Sequence, residues 1–450
     1  MVHLLPVSIS SNGFQMKKLD AWSSLKNKLL SIRNEFNYFQ VLSVALKGIS
    51  IISSAVLVPF LVENHGSSGF ALFSLAIALV YVIGSIDLGI ANVINSTSMY
   101  DKKIVEERFR LAAFILALLL VSYLSAVLVA HSAASNSLVV FNFFDLAWIM
   151  FASYLVILNN LGLKILLING NVMKYQLVHP MQQISANIFI IFASSRSDLQ
   201  YILVVYFVIS NFAGSLISLH KILIRKGRFH LLENAISFRK NFASLMTFQY
   251  LQLLAIFNSQ GITLLVSRFF GLEIVAFYSL ASRIFQSVNQ IYSQLIADYW
   301  NRISRLLYSN QKETLYLQYR SQINKSIYFG CLVNGGILLS GPVIIGLFLS
   351  VEYDFLLFMS LAFYWTCTLV FMPISHTFNG LLHTQGQIIW QTLFSAVSAV
   401  SLILCGLFRF PLSFGILTLS SILVLLVLPM SNKSLKKLIT SSSVFRNPTP

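Results

Sequence analysis

Charged side chains are scarce in this chain of 450 residues, of which 10% are charged and 56% are hydrophobic. Soluble domains carry about 25% charged residues, so this composition excludes a soluble globular protein. Stretches of the ~20 apolar residues that a helix needs to cross a bilayer recur along nearly the whole chain. We therefore predict an all-α integral membrane protein with about twelve transmembrane helices and no soluble domain.

Cysteine is also rare. The chain has three cysteines, Cys331, Cys367 and Cys405, and each lies in an apolar run without the spacing of metal ligands. They are too few and too scattered for a disulfide framework. We interpret them as packing residues and expect neither a metal nor a cofactor.

The segment 1–36 lacks an uninterrupted apolar stretch that ends in small residues, so it does not predict a cleavable signal peptide. Leu19, Trp22 and Leu25 begin a series of apolar residues at helical spacing. This series predicts an amphipathic helix at the membrane surface. Met16, which starts a Met-Lys-Lys-Leu run, is an alternative start of the chain.

Hydrophobic length divides the remainder into two sets of six spans. We predict an N-terminal bundle over 37–224, a basic linker over 225–241, a C-terminal bundle over 242–430 and a tail over 431–450. The predicted spans are 41–62, 70–94, 111–130, 146–168, 175–193, 201–223, 242–266, 274–296, 326–350, 355–371, 387–408 and 412–429.

Acidic residues are outnumbered, with 15 against 31 lysines and arginines. Most of the basic residues fall in connections on one side of the predicted spans, whereas Arg196, Arg268 and Arg409 fall on the other. Because basic loops are retained in the cytoplasm during insertion, both termini are predicted to be cytoplasmic. The net charge of +16 then reflects inner loops that contact anionic lipid, and we expect no nucleic-acid partner.

Long outer loops are absent as well. The longest outer connection, 131–145, has no basic residue and no recognisable catalytic grouping. A membrane enzyme that polymerises sugars at the outer face would need a larger loop for its acid, base and substrate-binding residues. The sequence therefore favours a carrier over a glycan polymerase or another enzyme.

The two predicted halves share a weak internal repeat. The segment 66–76 resembles 271–281, and both begin with glycine, share an Ala-x-x-Ser-Leu-Ala pattern and open an even-numbered span. Two copies in the same orientation are related by an axis along the membrane normal. Chance similarity between apolar segments is the alternative.

Polar residues form stripes on four predicted spans, which are the first two of each half. Because polar side chains are costly in lipid, such stripes indicate a protein interior or a wet cavity between the two bundles. The stripes are Ser43, Lys47, Ser50 and Ser54; Ser74, Tyr81, Ser85 and Asn92; Gln249, Gln252, Gln260, Thr263 and Ser267; and Arg283, Gln286, Gln290, Ser293 and Gln294.

Arg283 is predicted to lie ~15 Å deep, near the bilayer centre. Burial of an arginine there costs roughly 2.5 to 3.5 kcal/mol, so it requires either a substrate contact or an ion pair with Asp87 or Asp298. Lys47 is shallower and is either a substrate contact or a side chain that reaches the inner interface. Asp87 is either a structural tie or a group that couples transport to an ion.

Several segments resemble a known family. Val58 to Val62, the run from Phe70 to Phe73, and Ile86-Asp-Leu-Gly-Ile-Ala-Asn92 look like the first two helices of bacterial O-antigen and polysaccharide repeat-unit flippases. These belong to the multidrug, oligosaccharidyl-lipid and polysaccharide exporter superfamily. The run from Tyr278 to Ile284 resembles their eighth helix, whereas the following Ala297-Asp-Tyr-Trp-Asn departs from the proline-containing turn common there.

The resemblance implies a carrier in the bacterial inner membrane. It would move an undecaprenyl-diphosphate-linked oligosaccharide to the outer leaflet by alternating access, driven by H⁺ or Na⁺, and polysaccharide polymerase is a further candidate partner. When the family's basic cavity residues are carried over position by position, the resemblance implies that Lys47 and Arg283 contact the diphosphate. The full predicted substrate-binding set is Arg283, Lys47, Gln252, Gln286, Gln290, Asn92, Gln249 and Tyr81, and the alternative function is a multidrug cation antiporter.

Overall fold

A computed structural model describes residues 38–91, 102–134, 143–168, 171–195, 197–224, 231–296, 299–348, 354–381 and 384–440. Every regular element in these ranges is a helix, which confirms the predicted all-α class. The N-terminal half contributes α1 (Tyr38–Gly84), α2 (Lys102–Ala134), α3 (Phe143–Ile168), α4 (Val172–Ala193) and α5 (Leu199–Ile224).

The C-terminal half contributes nine helices. Two short π-helical turns, Phe257–Gly261 and Leu423–Val427, join α6 to α7 and α13 to α14 without interrupting the helical path. The elements are α6 (Leu231–Ile256), α7 (Ile262–Phe270), α8 (Leu272–Leu295), α9 (Tyr299–Tyr308), α10 (Lys312–Phe348), α11 (Phe355–Gly380), α12 (Thr384–Leu407), α13 (Leu412–Ile422) and α14 (Leu428–Thr440).

Within the described ranges, nine helices are long and apolar enough to cross a membrane. The longest apolar stretch, Leu42–Gly84, runs through the kink in α1 and so contains two of the predicted spans. The helices α4 and α8 correspond to two further predicted spans. They are not among the nine apolar helices because they carry more polar residues. These assignments agree with the twelve predicted spans.

Two glycines make equivalent turns in the two halves. Gly66, inside α1, has φ 73° and ψ 173°, and Gly271, between α7 and α8, has φ 86° and ψ 167°. Both conformations are in a region that non-glycine residues rarely adopt. The glycines that begin the two copies of the sequence repeat therefore make the same hairpin, which supports the repeat. We call the side of the molecule with these turns the hairpin end.

A pair of hydrogen bonds also follows the repeat. In the N-terminal half, Asn187 Nδ2 of α4 donates to Ser53 Oγ (2.9 Å) and Ser54 Oγ (2.8 Å) of α1. In the C-terminal half, Asn258 Nδ2 donates to Ser395 Oγ of α12 at 2.9 Å. In the repeat, Ser53 aligns with Asn258. Both halves therefore join the corresponding pair of helices by an asparagine–serine hydrogen bond, but the asparagine donor comes from the other helix of the pair.

The two halves pack as bundles that meet along α1 and α8. In the first, α3 lies along α5 and α4 packs on α1; in the second, α11 packs on α10 and α13. The main hydrophobic core runs through both bundles and includes Phe70 and Phe73 of α1 together with Phe277 and Phe285 of α8. The interface between the bundles is thus built from the first two spans of each half.

Several boundaries differ from the sequence prediction. The helix α1 ends at Gly84, within the predicted span 70–94, because the chain bends there. The predicted linker is partly helical, since α6 begins at Leu231, and the predicted tail begins as the helix α14. The connection after α8 contains α9, an amphipathic helix with Tyr299, Ile303 and Leu307 buried. The predicted N-terminal amphipathic helix lies outside the described residues.

Candidate functional site

Arg283 lies near the middle of α8 and reaches across to the N-terminal bundle. Its Nη2 donates to Ser74 Oγ of α1 at 3.3 Å. Its guanidinium carbon lies 5.4 Å from the ring centroid of Phe70 and 5.8 Å from that of Phe73. A cation at these distances is stabilised by the aromatic rings. Arg283 thus joins the two bundles through α1.

Two tyrosines of the N-terminal bundle complete the surroundings of Arg283. Tyr81 of α1 and Tyr206 of α5 lie close enough to interact electrostatically with its guanidinium. Tyr206 also accepts a hydrogen bond from Gln183 Nε2 and packs edge-on against Phe73. No ion pair involves Arg283 within the part of the chain described by the structure. Neutral oxygens and aromatic rings, rather than Asp87, compensate its charge.

The face of α8 that carries Arg283 becomes exposed along the helix. Gln286 is half-buried and Gln290, two turns beyond Arg283 or about 10 Å along the axis, is exposed. The opposite face stays buried in its own bundle, where Asn289 Nδ2 donates to Thr368 Oγ1 at 2.8 Å. Beyond Arg283, this face of α8 therefore exposes amide side chains, and we interpret it as one wall of a cleft between the bundles, referred to below as the cleft.

Lys47 is almost completely buried, with 4% of its surface exposed. Its stripe faces α4 within the N-terminal bundle: Lys47 lies in electrostatic range of His179, and Ser53 and Ser54 bind Asn187. No carboxylate pairs with Lys47 within the described ranges. Lys47 and Arg283 therefore have separate surroundings, and the structure does not bring them into one cluster.

Asp87 lies where α1 bends after Gly84, and it is 1% exposed. Its Oδ1 accepts from Gly89 N at 2.8 Å, and Gln252 of α6 lies beside the carboxylate. Tyr123 of α2 donates to the Ile83 carbonyl at 3.0 Å, and the same carbonyl accepts from Ile86 N at 3.0 Å. These contacts attach Asp87 to the bend and bring it beside α6.

Gln249 of α6 enters the same bend from the C-terminal bundle. Its Oε1 accepts from Gly89 N at 3.0 Å, and its Nε2 donates to the Ser85 carbonyl at 3.0 Å. Gly89 has φ 68°, and a Cβ there would come within 2.4 Å of the Leu245 carbonyl oxygen. We call this contact, formed by Ser85, Asp87, Gly89, Gln249 and Gln252, the bend clamp; it joins the bundles away from the hairpin end.

The predicted site residues thus separate into three groups. Arg283, Tyr81, Gln286 and Gln290 lie on or beside the cleft, Lys47 lies between α1 and α4, and Gln249, Gln252 and Asp87 form the bend clamp. Asn92 lies outside the described residues. Sequence reasoning missed Phe70, Phe73 and Tyr206 as partners of Arg283, because aromatic residues in spans are common and carry no polar signal.

No grouping of three or more His, Cys, Asp or Glu residues suited to a metal ion occurs in the described ranges. The three cysteines are free thiols, of which Cys367 and Cys405 are buried and Cys331 is exposed. The chemistry that the cleft offers is therefore hydrogen bonding and positive charge.

Solved structures of transporters share this architecture. An inward-facing multidrug resistance MATE family transporter of the MOP superfamily aligns with a TM-score of 0.61 at 14% identity, over 89% of this chain and 96% of that chain. This chain therefore shares the fold of that transporter. The lipid II flippase MurJ, in an inward closed conformation, aligns with a TM-score of 0.60 at 17% identity, over 88% and 87%.

An outward-facing MATE structure aligns with a TM-score of 0.53 at 14% identity, over 89% of this chain and 96% of that chain, which is below the value for the inward-facing one. No family model matches the sequence, and no curated protein matches it.

Proposed function

We propose that this chain is a flippase for an undecaprenyl-diphosphate-linked oligosaccharide, which it moves from the inner to the outer leaflet of the bacterial inner membrane. The observation that carries the proposal is the position of Arg283. It is a cation at the contact between the bundles, on a face of α8 that continues through the half-buried Gln286 to the exposed Gln290. A diphosphate needs a guanidinium, and sugars need amide partners, inside a bilayer.

The described interior favours an anionic substrate over a cationic one. Arg283 has no carboxylate partner there, whereas the buried carboxylate Asp87 is held by Gly89 N and lies beside Gln252. A multidrug cation antiporter, the second candidate, is favoured by the MATE likeness. Such an antiporter would be expected to hold net negative charge along its pathway, whereas the described residues do not provide a net negative charge there.

In the proposed cycle, the diphosphate replaces the contacts that Arg283 makes with Ser74 and the two phenylalanine rings. Loss of these contacts would free the hairpin end to open. The lipid tail would stay in the membrane between α1 and α8, so that the protein encloses only the polar headgroup. We propose Lys47, which is buried between α1 and α4 in this structure, as a second contact for phosphate or acidic sugar. We further propose H⁺ or Na⁺ as the coupling ion.

The test is transport of a polyprenyl-diphosphate-linked oligosaccharide in proteoliposomes under H⁺ and Na⁺ gradients. We expect Arg283→Ala to reduce the rate by about tenfold or more, because a charge-assisted hydrogen bond contributes roughly 1.5–3 kcal/mol. Arg268→Ala is the matched control, since Arg268 is an exposed arginine at the hairpin end of α7.

Two outcomes would contradict the flippase proposal, and a third would contradict the role of Arg283 in it. Absence of transport by the parent protein under both gradients would exclude the flippase. Gradient-driven efflux of an organic cation dye without lipid transport would favour the antiporter. Equal rates for Arg283→Ala and Arg268→Ala would leave the flippase standing but return Arg283 to a structural role.

A further inference from the structure

The C-terminal bundle has a charged cavity of about 550 Å³ at the hairpin end, away from the cleft. Its lining includes three charged side chains, Glu273, Asp354 and Arg409, together with Phe410. This volume lies within the ~300–1,000 Å³ typical of small-molecule sites. All three charged residues are exposed, so the cavity is accessible from the membrane surface.

Local backbone structure determines where the three charged residues begin at the rim of the cavity. Glu273 is in the first turn of α8, and Asp354 caps the N-terminus of α11, where its Oδ1 accepts from Leu357 N at 2.9 Å. Arg409 lies in the short turn between α12 and α13 with φ 56°, a conformation that is uncommon for a residue with a Cβ. The cavity therefore presents two carboxylates and one guanidinium from three different connections.

An apolar groove of about 560 Å³ continues from this cavity between α12 and α13. Phe410 lines both the cavity and the groove. Val400, Leu404 and Phe414 line the groove and are each about half exposed, and the rings of Phe410 and Phe414 lie 5.4 Å apart. A charged cavity and an apolar groove that meet at one side chain match the two ends of an amphiphile.

We propose that this surface binds one zwitterionic phospholipid whose headgroup carries both a primary ammonium and a phosphodiester, such as a phosphatidylethanolamine. Arg409 would bind the phosphate, Glu273 and Asp354 would bind the ammonium, and one acyl chain would occupy the groove. An anionic lipid or a polyprenyl diphosphate offers no cation for the two carboxylates. The lipid is thus distinct from the proposed substrate, and the inference does not depend on the proposed function.

The full chain, delipidated in detergent, would be titrated with three dioleoyl lipids and measured by native mass spectrometry. We expect phosphatidylethanolamine to bind at least tenfold more tightly than phosphatidylglycerol, which has no ammonium. Phosphatidylcholine should bind more weakly than phosphatidylethanolamine, because its quaternary ammonium has no N–H to donate to the carboxylates.

Variants separate the headgroup contacts from the groove. Arg409→Gln and Glu273→Gln, both at exposed positions, should each weaken phosphatidylethanolamine binding at least threefold and reduce the preference over phosphatidylglycerol. Val400→Trp should weaken all three lipids by filling the groove, whereas Leu124→Trp, at an exposed position of α2, should change none. Equal binding of the three lipids, or an unchanged preference in both headgroup variants, would overturn the proposal.

Discussion

Two of the contacts that join the bundles differ in the atoms they use. Near the hairpin end, one long side chain, Arg283, meets a hydroxyl at 3.3 Å and two aromatic rings. At the bend clamp, Gln249 binds the backbone of the other bundle at both Ser85 and Gly89. A single hydrogen bond to a hydroxyl can be exchanged for a substrate, whereas two hydrogen bonds to backbone groups, beside the close approach at Gly89, hold α6 near α1. We infer that the first contact opens during transport and the second serves as a pivot.

The largest expected effect is at the pivot. Gly89→Ala places a Cβ within 2.4 Å of the Leu245 carbonyl oxygen and forces alanine into a left-handed conformation. The conformation alone costs roughly 1–2 kcal/mol, and overpacking adds to it. We expect the free energy of unfolding in detergent to fall by at least about 2 kcal/mol.

The matched control for Gly89→Ala is Gly335→Ala in α10, because nothing lies within 4 Å of a Cβ at Gly335. This variant should unfold at the parent midpoint or slightly above it, since alanine favours the helix. Equal stability of the two variants would show that α6 and α1 are not held closely at the bend.

A smaller loss is expected from Gln249→Ala, which leaves Gly89 N and the Ser85 carbonyl short of a partner from α6. An unsatisfied buried backbone group costs about 1–3 kcal/mol, although Asp87 continues to accept from Gly89 N. We expect denaturant unfolding to show a loss in the lower half of that range. Gln385→Ala, at an exposed position near the start of α12, should have no effect.

The smallest effect is expected from Ser74→Ala. It removes one hydrogen bond to Arg283 but leaves both aromatic contacts, and such bonds in membrane proteins average about 0.6 kcal/mol. Thermal unfolding should differ little from that of Ser122→Ala, whose parent hydroxyl is exposed and bonds only to Leu118 O. A loss larger than that of Gln249→Ala would contradict our inference that the Arg283 contact opens and the bend clamp serves as the pivot.

The polar face of α8 could be predicted from the sequence, but the side chains that contact Arg283 could not. The polar stripe on the eighth predicted span identified Arg283, Gln286 and Gln290, since polar residues at helical spacing are rare in spans. The alternative for Arg283, an ion pair with Asp87, does not form in the structure, where the carboxylate accepts a hydrogen bond from Gly89 N in the bend after Gly84. Asp298, the other predicted partner, lies outside the described residues.

The stripe that contains Lys47 shows a different limit. Periodicity correctly indicates that Lys47, Ser50 and Ser54 share a buried face, but it does not say which neighbour covers that face. In the structure the neighbour is α4, through His179 and Asn187, rather than the facing bundle. Helical spacing reports direction around one axis only, and the identity of the covering helix depends on how the helices pack.

The sequence by itself determined the membrane class, the helices and the repeat that begins at Gly66 and Gly271, because hydrophobic length and backbone conformation are local properties. Tertiary structure alone decided that Gln249 enters the bend at Gly89 and that Arg283 meets Phe70, Phe73 and Tyr206. These residues are far apart in the chain. The physical reason is that a buried polar group takes whichever partner the packing of the two bundles brings within reach.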